Sequence, residues 1–332
     1  MKIAALGRTQ MLYDSIQALE RAGHEIVLIG TSPAVPEYTR TESDFSELAK
    51  KYKCPFFCDI HLENPQIHSL IRSCKAEVAV SINWLTIIPK DIRDIFGGKI
   101  INAHAGDLPR YRGNAVPNWA ILSGERKIVL TLHYMVDQLD AGPILLQKNF
   151  PIDETTYIGD VYRFLESSVP DMFCTVIKNI ENGTQKVQQQ SDDPCNSLRC
   201  YPRLPCDSEI NWSLPAKMIH RLVRAVGSPF SGAYTFMGYK KIIVWKARYE
   251  IPDFSYFGIP GQVAYRNLAT GEVGIITGEG FLILEEVEIK GMGRKKPADI
   301  ISSIRIRLGL NISARLEDLI MKIDNLEKKA LK

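Results

Sequence analysis

The chain is expected to fold as an α/β protein, an open twisted sheet with helices on both faces, followed by a small, mostly-β barrel. Three observations carry that expectation. Up to about residue 182, short apolar runs alternate with stretches of helical period, the pattern of a sheet covered on both sides. A polar segment from Thr184 to Ser208, rich in Gln, Asp, Pro, Cys and Ser, has no apolar period. Beyond it come short strands separated by glycine-containing turns. At 332 residues the chain is also longer than one core usually carries, so two domains are expected.

In order, Ile3 to Leu6 reads as a strand, Met11 to Ala22 as a helix and Glu25 to Ile29 as the next strand. Phe45 to Tyr52 and Ile67 to Cys74 read as helices, Glu77 to Ile82 and Lys99 to Asn102 as strands. Ile128 to Met135 alternates apolar and polar residues, which predicts a partly exposed strand; Ile144 to Phe150 is its expected neighbour. Ile158 to Asn182 predicts a long helix, kinked or split at Pro170. This is a Rossmann-like order, although Gly7-Arg8-Thr9-Gln10 after the first strand lacks a dinucleotide-binding glycine pattern. The second half predicts a helix over Pro215 to Val226 and strands at Gly232–Phe236, Lys241–Trp245, Gly261–Tyr265, Gly274–Thr277 and Phe281–Ile289. Domain limits are expected at 1–190, with a linker over 191–208, an OB-like barrel over 209–310 and a C-terminal helix over 311–332. On that helix Leu316, Leu319, Ile320, Ile323 and Leu326 share one face, for which docking on the barrel is favoured over a homodimer contact.

The bulk properties narrow the function. Met1 to Gly7 reads as a buried strand rather than a signal peptide, and no apolar run approaches the ~20 residues of a membrane span, so a cytoplasmic location is expected. Seven cysteines do not suggest a disulfide framework. Cys195, Cys200 and Cys206 lack the paired spacing of structural zinc and have no histidine among them, so no metal is expected. A net charge of +3 without a basic stripe argues against DNA and favours a small-molecule substrate.

Chemistry concentrates in three short segments: Asn102-Ala103-His104, Leu108-Pro109-Arg110-Tyr111-Arg112-Gly113 and Leu139-Asp140-Ala141-Gly142-Pro143-Ile144. An amide that holds an oxyanion, an imidazole that moves a proton and a carboxylate that orients it are the groups an acyl transfer to an amine needs. Each also has a structural role open to it. Asn102 can cap a strand end, His104 can bond a backbone carbonyl, and Asp140 can close the turn before Gly142.

The three segments, in this order, resemble the signature of the formyltransferases that use 10-formyltetrahydrofolate. Ile210-Asn211-Trp212, Val223-Arg224-Ala225 and Pro229-Phe230-Ser231-Gly232-Ala233 resemble the C-terminal domain of that family, so the likeness covers nearly the whole chain, most strongly from Val78 to Ile152. The resemblance implies that Asn102 holds the oxyanion, His104 carries the proton and Asp140 tunes the imidazole. It also implies a folate cleft lined by Trp84, Leu85, Thr86, Ile87 and Ile88 and by Val136, Asp137, Gln138 and Leu139. Asn114 occupies a folate-contacting position that is often Arg in the family. Ala105-Gly106-Asp107 also departs from the pattern, and Asp107 can either bind the substrate ammonium or cap the following turn.

The family divides by acceptor, and the single-domain enzymes acting on glycinamide ribonucleotide are too short to match. Enzymes acting on methionyl-tRNA carry a basic loop after the second strand; here Thr31 to Glu42 holds one Arg, two Glu and no Lys. The run Val223-Arg224-Ala225-Val226-Gly227-Ser228-Pro229-Phe230 is closer to enzymes that formylate UDP-4-amino-4-deoxy-L-arabinose. The expected acceptor is therefore a UDP- or dTDP-linked amino sugar, with tRNA disfavoured. Arg8, Thr9, Asp107, Arg110 and Arg112 are its candidate contacts, the arginines serving the diphosphate, although Arg112 can equally brace its own loop. A non-catalytic folate- or nucleotide-binding module is the reading from another class, and the intact triad argues against it.

Overall fold

The computed structural model describes residues 1–35, 38–254, 258–310 and 312–330. It divides into two compact units, Met1–Arg203 and Leu204–Lys332. The first is built on a seven-stranded sheet. Its strands are β1 (Lys2–Gly7), β2 (Glu25–Thr31), β3 (Phe56–Cys58), β4 (Val78–Ile82), β5 (Ile100–His104), β7 (Lys127–Tyr134) and β8 (Ile144–Pro151), in the order β3-β2-β1-β4-β5-β7-β8. Strands β1 to β5 run parallel, while β7 and β8 are antiparallel. The helices are α1 (Thr9–Arg21), α2 (Glu42–Tyr52), α3 (Pro65–Ser73), α4 (Lys90–Ile95), α5 (Val116–Ser123) and α6 (Ile158–Glu181).

Strand β1 buries every residue after Lys2, and β4 and most of β5 are equally apolar, as central strands covered on both faces must be. The chain order reverses between β1 and β4, which opens a crevice there. It is narrow at Gly7, where a Cβ would stand 2.0 Å from the Ile82 carbonyl oxygen. Three findings differ from the sequence expectation. Strand β7 is buried along most of its length, because β5 and β8 flank it and α5 and α6 pack on it. Helix α6 runs unbroken through Pro170, which is itself buried; packing of the apolar face outweighs the one lost backbone hydrogen bond. The polar stretch after α6 is also not featureless. Strand β9 (Leu198–Cys200) pairs in parallel with β6 (Tyr111–Gly113), and the first unit ends at Arg203 rather than 190.

The second unit contains α7 (Ala216–Ala225), β10 (Ala233–Met237), β11 (Lys240–Glu250), β12 (Val263–Arg266), β13 (Val273–Ile276), β14 (Phe281–Ile289), β15 (Arg294–Lys295), α8 (Pro297–Ile300) and α9 (Ile312–Ala330). The strands form an antiparallel sheet, β10-β11-β14-β13-β12, with β15 beside β14. Residues 306–309 bridge its two edges. Leu308 donates to Gly261 and Gly309 donates to Phe236, which closes the sheet into a small barrel. Trp212, Ile219, Val223, Val244, Leu282 and Leu284 are buried in this unit. On α9 the expected docking face is open: Leu316, Leu319, Ile320, Ile323 and Leu326 are each at least half exposed. The contact with the barrel is polar instead, Tyr239 donating to Asp318 with Lys322 over its ring. Among the described residues no helix is long and apolar enough to cross a membrane.

The β6–β9 pair makes a testable demand. Gly113 has φ +104°, and a Cβ there would meet the Cys200 carbonyl oxygen at 2.3 Å, whereas Gly97, at φ +58°, has nothing within 4 Å. Gly113→Ala is expected to cost at least ~2 kcal/mol more than Gly97→Ala, read as the difference between their denaturant midpoints at constant m.

Candidate functional site

Asn102 and His104 lie two residues apart on β5, so their side chains leave the same face of the sheet. In the β5–β7 ladder Asn102 stands opposite His133 and His104 opposite Thr131. Ser81 on β4 continues the row beside Asn102, and its buried hydroxyl has no protein partner among the described residues. Asp140 arrives from the loop after β7. That strand runs against β5, so the loop leaves far from His104 and folds back over the sheet face. Gly142 permits the return, since a Cβ there would lie 1.7 Å from the Tyr134 carbonyl oxygen. Asp140 itself adopts φ +50°.

The polar groups then interlock. Gly113 donates its backbone N–H to Asp140 Oδ2 at 2.8 Å, and His104 Nδ1 is 3.5 Å from the same oxygen. Asp140 Oδ1 is 3.6 Å from His133 Nε2. His133 Nδ1 is 2.9 Å from the Tyr134 carbonyl, which can only accept, so this nitrogen carries the proton. His133 Nε2 is in turn 3.2 Å from Asn102 Nδ2, which ties the amide on β5 to the ring on β7. By the same reasoning His104 Nε2 donates to the Tyr111 carbonyl at 2.6 Å. Nδ1, facing Asp140, is therefore the nitrogen that takes up a proton.

Burial pushes the His104 imidazole below its ordinary value; Asp140 opposes that and His133 adds to it. Burial alone would raise Asp140, but the His104 and His133 imidazoles and the Gly113 N–H hold its carboxyl well below the usual range. At neutral pH the resting pair is a carboxylate beside a neutral imidazole.

Backbone strain gathers at the same place. Among the described residues six non-glycine residues have positive φ; Lys53 and Lys75 follow the ends of α2 and α3, Thr9 opens α1 just after β1, Ala115 caps the start of α5 after β6, and Asn83 and Asp140 lie in the loops after β4 and β7. Thr9 is β-branched at φ +83° and its hydroxyl is buried without a partner among the described residues.

Other expected residues fall in different positions. On the loop after β4, Leu85 and Ile87 are 50% and 63% exposed, leaving apolar surface uncovered. Trp84 is edge-on to Phe57 and donates to Thr86. Ile88 is 2% exposed and packs in the core with Leu62, Ile92 and Phe96, which removes it from the exposed wall. Asp137 pairs with Arg93, Val136 packs near Gly142, and Gln138 is exposed beside half-buried Leu139. Exposed Asn114 has its backbone N–H on Cys200.

Among the substrate candidates, Arg8 is buried in the β1–β4 crevice, donating Nε to Asn83 O and stacking over Tyr38 at 4.9 Å. The other arginines are committed to protein partners, Arg110 to Glu125 and Arg112 to Gln190. Asp107 pairs with Lys127 at 3.4 Å. In the loop at Thr31–Glu42, Pro36 and Glu37 lie outside the described residues, and Arg40 is held by Gln10, Asp44 and the Tyr13 ring. Sequence reasoning missed His133, the Tyr111 carbonyl and Gln190. Only His133 left a signal, as a polar position on a strand beside Asn102. No group of three His, Cys, Asp or Glu that could hold a metal occurs among the described residues.

Residues 1–177 match the family model described as formyl transferase, and residues 204–305 match the formyl transferase C-terminal domain. Among solved structures, the chain is similar to the N-formyltransferase from Helicobacter canadensis in complex with folinic acid and dTDP-3-aminofucose. That likeness has 19% identity and TM-score 0.63, and covers 87% of this chain and 100% of that one. A 4-N formyltransferase from Francisella tularensis aligns at 16% identity and TM-score 0.55, over 70% of this chain and 91% of that one. HypX from Aquifex aeolicus aligns at 20% identity and TM-score 0.57, over 91% of this chain but 47% of its own; this chain thus spans about half of HypX.

The electrostatics predict an order of titration. In an NMR titration of the histidines, His104 is expected to take up its proton below pH 6.5. Asp140→Asn removes the charge that favours the imidazolium, so its midpoint should move lower still. A His104 midpoint above 6.5 in the wild-type protein would contradict this account.

Proposed function

The chain belongs to the formyl transferase family, a family of enzymes, and from that premise we propose that it transfers a formyl group from 10-formyltetrahydrofolate to the amine of a UDP- or dTDP-linked amino-deoxy sugar. The observation that carries the reading is the closed polar circuit over β5 and β7. Asp140 reaches His104, His133 and the Gly113 N–H, and His133 reaches Asn102. A purely structural role for any one of these groups would not require the others to converge.

The chemistry balances within that circuit. The amine nitrogen bonds to the formyl carbon, and the carbonyl electrons move to oxygen as a tetrahedral oxyanion, which the Asn102 amide can meet. Collapse re-forms the carbonyl and breaks the bond to N10 of the folate. The attacking nitrogen loses a proton and N10 gains one. His104 Nδ1 is the group suited to relay it, because the imidazolium so formed has Nε2–H on the Tyr111 carbonyl and Nδ1–H on Asp140. The products are the N-formyl sugar nucleotide and tetrahydrofolate. Exposed Leu85 and Ile87 offer apolar surface for a pterin.

Three things support a sugar nucleotide over tRNA: the cation-poor loop Thr31 to Glu42, the internal partners of Arg40, and the buried guanidinium of Arg8 at the sheet crevice. The similar Helicobacter canadensis N-formyltransferase is in complex with dTDP-3-aminofucose. The deciding experiment incubates the enzyme with 10-formyltetrahydrofolate and UDP-, dTDP- and GDP-linked amino sugars, beside methionyl-tRNA, and looks for the mass of one added formyl group. Formylation of tRNA alone, with a steep salt dependence, would overturn the sugar reading.

With the true acceptor, Asn102→Ala is expected to lower kcat by ~10²–10³-fold, while tetrahydrofolate affinity stays within about tenfold. Arg8→Ala should raise KM for the sugar nucleotide by roughly tenfold, whereas Arg40→Ala should leave KM and kcat within about twofold.

A further inference from the structure

The polar segment after α6 runs past both halves of the site and touches each. Gln185 donates its amide to Leu145 O at 2.9 Å, and the Gln188 backbone exchanges hydrogen bonds with Ile144 at 2.7 and 2.9 Å. Gln190 Nε2 then lies 2.8 Å from Asp140 O and 2.7 Å from Gly142 O, while its Oε1 accepts from Arg112 Nη2 at 2.8 Å. Both amide hydrogens are thus committed to the turn that carries Asp140, and the amide oxygen to the strand that carries Gly113. A few residues on, β9 pairs with β6, with Leu198 N on Arg110 O and Asn114 N on Cys200 O.

We propose that Gln190 is a positioning residue for the formyl transfer, tying the Asp140–Gly142 turn to β6 so that the Asp140 carboxylate stays between His104 and the Gly113 N–H. The need follows from the backbone. Asp140 sits at φ +50°, a conformation that costs a non-glycine residue free energy and persists only where its surroundings hold it. The two carbonyls that Gln190 binds are that of Asp140 itself and that of Gly142, two residues on in the same turn. Arg112 is the other end of the tie. Its Nε has no partner among the described residues, and Gln190 is the described acceptor for its Nη2. The role is geometric: Gln190 acts on the reaction through Asp140.

The test uses the full chain and two readouts, of which the first rests on the proposed formyl transfer and the second does not. In kinetics, Gln190→Ala is expected to lower kcat at least tenfold in the wild-type background and less than about twofold in the Asp140→Asn background, because the carboxylate it aims is then gone. Gln190→Glu keeps the length and the Arg112 contact but turns a carboxylate toward two carbonyls, so it should fall at least as far as the alanine variant. In the unliganded protein, the NMR titration midpoint of His104 should drop in Gln190→Ala by roughly half a unit or more, toward that of Asp140→Asn. Multiplicative kinetic losses, retained kcat in Gln190→Glu, or an unmoved His104 midpoint in a folded Gln190→Ala protein would each overturn the proposal. If the sugar-formylating reading fails, the histidine titration still decides the positioning role.

Discussion

A single buried carboxylate organises this site. The Asp140 side chain is only 10% exposed, and removing an ionised carboxylate from water costs several kcal/mol unless its oxygens are met by donors or positive charge. Here one oxygen takes the Gly113 N–H and faces His104, and the other faces His133. A charge-assisted hydrogen bond contributes about 1.5–3 kcal/mol, so the arrangement persists only while its partners stay within reach. Each partner comes from a different strand: β5 supplies His104, β7 supplies His133, and β6, which pairs with β9 outside that sheet, supplies Gly113. The chemistry proposed for His104 depends on the same convergence, since its imidazolium is tolerable in a buried place only because a fixed negative charge stands at Nδ1.

The mixed sheet explains how a site forms on a face rather than beyond strand tips. Had β7 run parallel to β5, the loop carrying Asp140 would have emerged at the His104 end without turning back. Because β7 is antiparallel, the loop must double over the β5–β7 seam, and it does so through a left-handed Asp140 and a glycine pressed against the Tyr134 carbonyl. The reversal also places His133 directly opposite Asn102, so that a side chain from β7 meets the amide on β5. Buried Arg8 lies at the β1–β4 switch point, apart from the β5–β7 seam.

Much of this was legible in the sequence, and the rest was hidden for identifiable reasons. The parallel strands announced themselves as continuous apolar runs, and Asn102, His104 and Asp140 by their order. Strands β6 and β9 are three residues each, too short to carry a period, and each pair in their ladder lies 87 positions apart in the chain, a contact no local pattern encodes. His133 was masked because alternation along β7 reads as one face in water, whereas that face is covered and its polar residues meet Asn102 and the Gly106 carbonyl. Ile88 looked like cleft wall beside Leu85 and Ile87, but only packing could separate the buried member from the exposed ones. The stripe on α9 has the period of a docked helix, yet the barrel meets that helix through Tyr239, Asp318 and Lys322 instead. Periodicity establishes that a face exists, not what covers it.

The strain at the loops around the site fits the same logic. A left-handed Thr9, Asn83, Ala115 or Asp140 each costs on the order of 1–3 kcal/mol, and a sequence under selection for stability alone would place glycine there. Glycine at 140 would lose the carboxylate, and glycine at 9 would lose a hydroxyl that is buried beside the switch-point crevice. Lys53 and Lys75, the other two such residues, follow helix ends, where a left-handed residue satisfies backbone groups. Asn83 and Asp140, by contrast, stand outside any helix, and Asp140 does so at the point where its carboxylate meets His104 and the Gly113 N–H.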